Sequence, residues 1–80
     1  MIFLIEYNRN EGALVELRSF EDSKRQIAEQ LRLDVELDLY RRGIEHEVVL
    51  LEAESEEALH RTHRRYFGDF RQLLNSAGET

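Results

Sequence analysis

Eighty residues without a cysteine, carrying a formal charge of -6 and 35% charged side chains, describe one small domain, which at this size buries only about 60% of the surface its unfolded chain exposes. Disulfide staples are excluded, so support for so small a core falls to a metal or a second chain, and a cysteine-free sequence suits a reducing compartment such as the cytoplasm. With no proline and 41% hydrophobic residues the chain is a folding rather than a disordered one, and its negative charge repels phosphate and argues against nucleic acid.

The opening run MIFLIEYN is apolar over a short stretch with no basic region ahead of it, so it reads as a strand over residues 2–7 and not as a signal peptide or membrane span. Both alternating sets, Ile2/Leu4 and Phe3/Ile5/Tyr7, are apolar or aromatic, which predicts a central strand covered on both faces. NRNEG then forms a short loop, with Gly12 free to take positive φ in the hairpin turn. Residues 13–20 alternate, Val15 and Leu17 against Glu16 and Arg18, the pattern of an edge strand.

Ser23 stands three residues before Gln26, the spacing of a reciprocal cap, and a helix is predicted from there to about Arg42, stopped by Gly43. LRLDVELDLY also alternates with period two, as a strand would. Good helix formers, only two β-branched residues (Ile27 and Val35) and helix signals at both ends favour the helix. On its wheel Ile27, Ala28, Leu31, Val35 and Leu39 form one apolar stripe, while Leu33, Leu37 and Tyr40 form a second on nearly the opposite side. IEHEVVLLEA is a third strand, apolar on both faces from Val48 to Leu51. Ser55 caps a last helix, with Glu56 and Glu57 in its first turn, that is predicted to reach about Leu74. Residues 1–75 make a single α+β domain, and the tail at 76–80 is expected to fray.

The order is β-β-α-β-α, which predicts a three-stranded sheet in order 2-1-3 with two helices packed on one face. The other sheet face would then show Leu and Val to water, an apolar patch that calls for a partner.

EALHRTHRRYF in the last helix admits three readings. As a packing helix, Leu59, Thr62, His63, Tyr66, Phe67, Phe70, Leu73 and Leu74 turn inward, with Arg61, Arg64, Arg65 and Arg71 solvated or paired with acids. Nucleic-acid contact would use the same four arginines, with Tyr66 or Phe67 stacking on a base. The whole -6 excess lies in residues 1–55, with 13 acids against 7 bases, while residues 56–80 hold four of each, so a basic face on that helix is compatible with an acidic molecule. A metal reading takes Glu56, His60 and His63 at i, i+4 and i+7, with His46 as a fourth ligand. That spacing carries no HExxH signature, and a partly buried histidine bonded to a carboxylate or carbonyl is the commoner role. No ligand set is distinctive enough to assign a metal or any other cofactor.

For catalysis the sequence offers no cysteine nucleophile, Gly-rich phosphate loop or G-x-S-x-G elbow. The carboxylate pairs Asp34/Asp38 and Glu45/Glu47 are ordinary at this charge density, and Ser19, Ser23, Ser55 and Ser76 fit capping or strand-end roles. VVLLEAESEEALHRTHRRYF has the composition of a small bacterial open reading frame. The sequence therefore points to a non-enzymatic intracellular module that dimerises or contacts another protein, through the sheet's free face or through the stripe Leu33, Leu37, Tyr40.

Overall fold

Apolar side chains on both of its faces place β1 (Ile2–Asn8) at the centre of the sheet in the computed structural model, which describes residues 1–67. Its neighbours are β2 (Ala13–Phe20) and β3 (Glu47–Glu52), both antiparallel to it, in the expected order β2-β1-β3. Gly12 closes the hairpin with φ +65°, and Asn8 Oδ1 accepts from the Asn10 and Glu11 amides at 3.1 and 3.2 Å, so the side chain supplies the turn's bonds. The β1–β2 register runs from Ile2 opposite Phe20 to Glu6 opposite Glu16. It then slips by one residue, with Tyr7 opposite Leu14 and Val15 as the extra residue of a bulge.

Residues directly opposite in an antiparallel ladder share a face. Ile2, Leu4 and Glu6 therefore share one with Glu52, Leu50 and Val48, and Phe3, Ile5 and Tyr7 share the other with Leu51, Val49 and Glu47. On that second face lies α2 (Glu56–Thr62), whose Leu59 packs with Phe3, Ile5 and Tyr66 in one buried cluster. The first face belongs to α1 (Arg25–Arg41): Ile2 and Leu4 are buried, as are Ala28 and Leu39 of that helix, and Arg25 pairs with Glu52, the residue opposite Ile2.

The two helices, expected together on one face, thus lie on opposite faces. Both side-chain rows of β1 are apolar, and a single helical layer can keep water from only one of them.

A 3-10 turn (Asp22–Lys24) leads into α1, and the reciprocal Ser23/Gln26 cap is not formed. Ser23 lies inside this first turn; Glu21 holds the extended position before it and its carbonyl accepts from the Lys24 amide at 2.9 Å. The other end follows the prediction. Gly43 has φ +67°, its N–H donates to the Tyr40 carbonyl at 3.1 Å and the Ile44 N–H to the Leu39 carbonyl at 2.9 Å, the double bond of a Schellman stop.

Ser55 caps α2 through Oγ, which accepts from the Ala58 amide at 3.1 Å. Predicted to reach about residue 74, that helix ends at Thr62. Thr62 Oγ1 donates to the Ala58 carbonyl at 3.0 Å, a back-bond that loosens the next turn, and His63 leaves helical space at φ -126°, ψ 54°. A 3-10 turn (Arg64–Tyr66) follows. It sets Tyr66 edge-on against Tyr7, ring centroids 5.3 Å apart at 85°, an aromatic contact that a straight helix would forgo. The predicted continuation through Phe70, Arg71, Leu73 and Leu74 and the tail at 76–80 lie outside the described residues. No helix among the described residues is long and apolar enough to cross a membrane.

Candidate interaction surface

Ala28, Leu31, Val35 and Leu39 are the buried or half-buried apolar residues of α1. Ile27 was expected with them but is 56% exposed. By 100° per residue it stands about 85° from the centre of the other four, at the rim of the contact. About 160° from that centre stand Leu33, Leu37 and Tyr40, which are 46%, 51% and 84% exposed. They form one stripe down the outer face of the helix. Beside them two polar pairs close on themselves, Gln30 with Asp34 at 2.9 Å and Arg42 with Asp38 at 3.0 Å. An exposed apolar strip bordered by paired polar side chains has the composition of a surface that could take a protein partner, and three such side chains amount to an area on the order of a few hundred Å².

A polar cluster occupies the end of the sheet where β1 finishes and β3 begins. His46 Nδ1 lies 2.6 Å from Glu6 Oε2, both side chains largely buried. On the α2 face, Arg65 Nη2 donates to Glu47 at 2.7 and 2.5 Å and to the Tyr66 hydroxyl at 2.8 Å, its guanidinium 4.6 Å from the Tyr66 ring centroid. Burial works to raise the Glu47 carboxyl, but the hydrogen bonds from Arg65 and Tyr66 and the Arg65 charge outweigh it and hold the group below the ordinary glutamate range. The same Glu47 bond, with that of Tyr66, pushes Arg65 up. An open depression of about 450 Å³ beside this cluster is lined by Arg9, Asn10, Glu45, His46 and Glu47.

The fold does not assemble the four metal candidates. His46 is held by Glu6 at the sheet's end. His60 Nε2 is 3.5 Å from Glu56 Oε1 without a hydrogen bond, and its ring stacks on Phe67 at 3.8 Å and 16°. His63 sits at the break where the helical i+7 relation no longer holds. Among the described residues no group of three His, Asp or Glu side chains could hold a metal ion.

Among the described residues, Arg61, Arg64 and Arg65 do not line one helical arc either. Arg61 lies 3.9 Å from Glu57, Arg64 and Arg65 belong to the 3-10 turn, and Arg71 is outside the described residues. Tyr66 is buried and Phe67 packed on His60, so the aromatics offered for base stacking serve the core. Of the carboxylates considered for acid–base work, Asp34 is bonded to Gln30, Asp38 pairs with Arg42 and Glu47 with Arg65, while Glu45 lines the open depression beside His46.

Glu6 was missed as a partner for His46, and Glu47 as one for Arg65. The only signal in the sequence was Glu6 itself, a single charge in an otherwise apolar central strand. Comparison of the chain with protein-family models, with curated proteins and with solved structures finds no match.

Proposed function

We propose that this is a small, non-catalytic protein of the cytoplasm that self-associates as a homodimer and acts by protein–protein contact, with Leu33, Leu37 and Tyr40 on α1 as the contact face. The observation that carries the reading is the exposure of that stripe. Among the described residues a helix lies on each side of the sheet, which supports the outer face of α1, with its apolar row, over the sheet as the contact surface.

Magnitudes set the strength of the contact. Burying a leucine side chain contributes roughly 1.5–3 kcal/mol, while association costs at least about 4 kcal/mol in lost rigid-body freedom. Stable interfaces bury about 800 Å² on each partner, more than three side chains provide, so the pairing is a weak one that forms in the micromolar to millimolar range.

Sedimentation equilibrium over that range tests it. The double substitution Leu37→Glu, Tyr40→Glu is expected to weaken association at least tenfold while leaving the circular-dichroism spectrum unchanged, since both side chains are half exposed or more. A wild-type protein that remains monomeric at millimolar concentration would overturn the reading.

A further inference from the structure

The ladder between β1 and β3 closes with Tyr7 opposite Glu47, and beyond that rung the two chains part. One continues into the hairpin turn through Arg9 and Asn10, while the other arrives from the end of α1 through Glu45 and His46. Between these two lips lies the open depression of about 450 Å³.

Its deeper groups are already fixed. Both oxygens of Glu47 accept from Arg65, so that carboxylate brings little open charge to the depression. In the neutral His46 ring Nδ1–H donates to Glu6 Oε2 at 2.6 Å, which leaves Nε2 as an acceptor. No described group bonds that nitrogen. Arg9, the Asn10 side-chain amide and Glu45 are exposed, and among the described residues none of them takes a side-chain hydrogen bond or ion pair. Although opposite in charge and lining one depression, Arg9 and Glu45 do not pair with each other. The hairpin lip therefore offers donors, Arg9 and the Asn10 amide, and the other lip offers acceptors, Glu45 and His46 Nε2.

We propose that this depression binds a free α-amino acid, with its carboxylate on Arg9 and the Asn10 amide and its ammonium group between Glu45 and His46 Nε2. A simple anion would meet the like charge of Glu45, and a simple cation that of Arg9. A molecule carrying both signs matches both lips. An α-amino acid carries them one carbon apart, which suits two chains that have just left a ladder about 5 Å wide. The volume falls in the range of roughly 300–1,000 Å³ for small-molecule sites and leaves the ligand's own side chain unconfined, so selectivity among amino acids is low. Exposed charges bind weakly, which puts the affinity in the millimolar range.

This goes beyond the α1 reading, because it concerns a different surface and stands whether or not the stripe Leu33, Leu37, Tyr40 takes a partner.

Nuclear magnetic resonance titration of the isotope-labelled protein tests it, following the Asn10 and His46 amides and the His46 ring nitrogens. L-alanine is expected to shift these signals saturably, while alaninamide, which lacks the carboxylate, and N-acetylalanine, which lacks the ammonium group, each bind about tenfold more weakly, the equivalent of one charge-assisted hydrogen bond. Arg9→Gln should abolish the preference for alanine over alaninamide, and Glu45→Gln the preference over N-acetylalanine. Both substitutions are at exposed positions and should leave the amide spectrum otherwise unchanged. Absence of a saturable shift with alanine overturns the proposal. So does N-acetylalanine binding as tightly as alanine, which would mark a plain anion site, or alaninamide doing so, which would mark a cation site. Full retention of alanine binding in either variant would overturn it as well.

Discussion

Replacing Leu59 by Ala asks whether seven residues of helix are enough to close one side of the sheet. Leu59 is fully buried and packs with Phe3, Ile5 and Tyr66. Truncation removes three carbon atoms, about 2.4 kcal/mol at roughly 0.8 kcal/mol per buried methylene. A cavity term is added, because the neighbours belong to a paired strand and cannot follow, which brings the loss to about 3–4 kcal/mol. Against a total of roughly 4–12 kcal/mol for 80 residues, that is a large share. A helix of this length does not persist on its own, so α2 is expected to detach early. Urea titration followed by circular dichroism measures the loss directly, and thermal melting should show a fall of about 12–32 °C at the usual 4–8 °C per kcal/mol. Leu37→Ala, at a half-exposed position of α1, serves as the control and should change stability by no more than about 0.5 kcal/mol. Equal effects of the two substitutions, or a loss under about 1 kcal/mol at Leu59, would refute the claim that α2 seals the Phe3/Ile5 face.

Glu47→Gln tests the Arg65 contact through pH. Because the folded-state pKa of Glu47 is lowered, its stabilisation is present above the ordinary value of 4.5 and is lost as pH falls through the lower folded value. The variant should therefore unfold at lower urea than the wild type at neutral pH, and the gap should close on acidification below that value; a gap independent of pH would refute the role. Gly43→Ala isolates backbone conformation, since a Cβ there meets nothing within 4 Å while φ is +67°. It should cost about 1–2 kcal/mol, measured by the same titration, and a neutral result would count against the left-handed stop.

The strand order was legible because β1 is apolar on both faces and β2 alternates, which assigns centre and edge directly. The docking stripe of α1 was legible from its wheel, apart from Ile27 at the rim. The side of the sheet chosen by α2 was not, although the need was written in β1: two apolar rows require two covers. The break at Thr62 was hidden because Leu59 and Tyr66, seven residues apart, satisfy the helical period, yet Tyr66 reaches the core by a 3-10 turn. The polar cluster was out of reach for a related reason. Glu6 and His46 are 40 positions apart and Glu47 and Arg65 are 18 apart, and which strand ends adjoin is decided only once the sheet forms. The exposed row Leu33, Leu37, Tyr40 needed no such knowledge, since it follows from one helix and its opposite side.

The central position of β1 also bears on how the molecule comes to exist. Ile2 to Ile5 precede in the chain every segment that shelters them: the β2 hairpin arrives soon after, the roof over Ile2 and Leu4 comes with residues 25–41, and that over Phe3 and Ile5 only with residues 56–66. During synthesis the greasiest stretch of the protein therefore waits longest for its cover, bound meanwhile to a hairpin that is only marginally stable by itself. A nascent chain that has not yet reached Leu59 and Tyr66 would be expected to engage holdase chaperones through that stretch, and to release them when those two residues emerge.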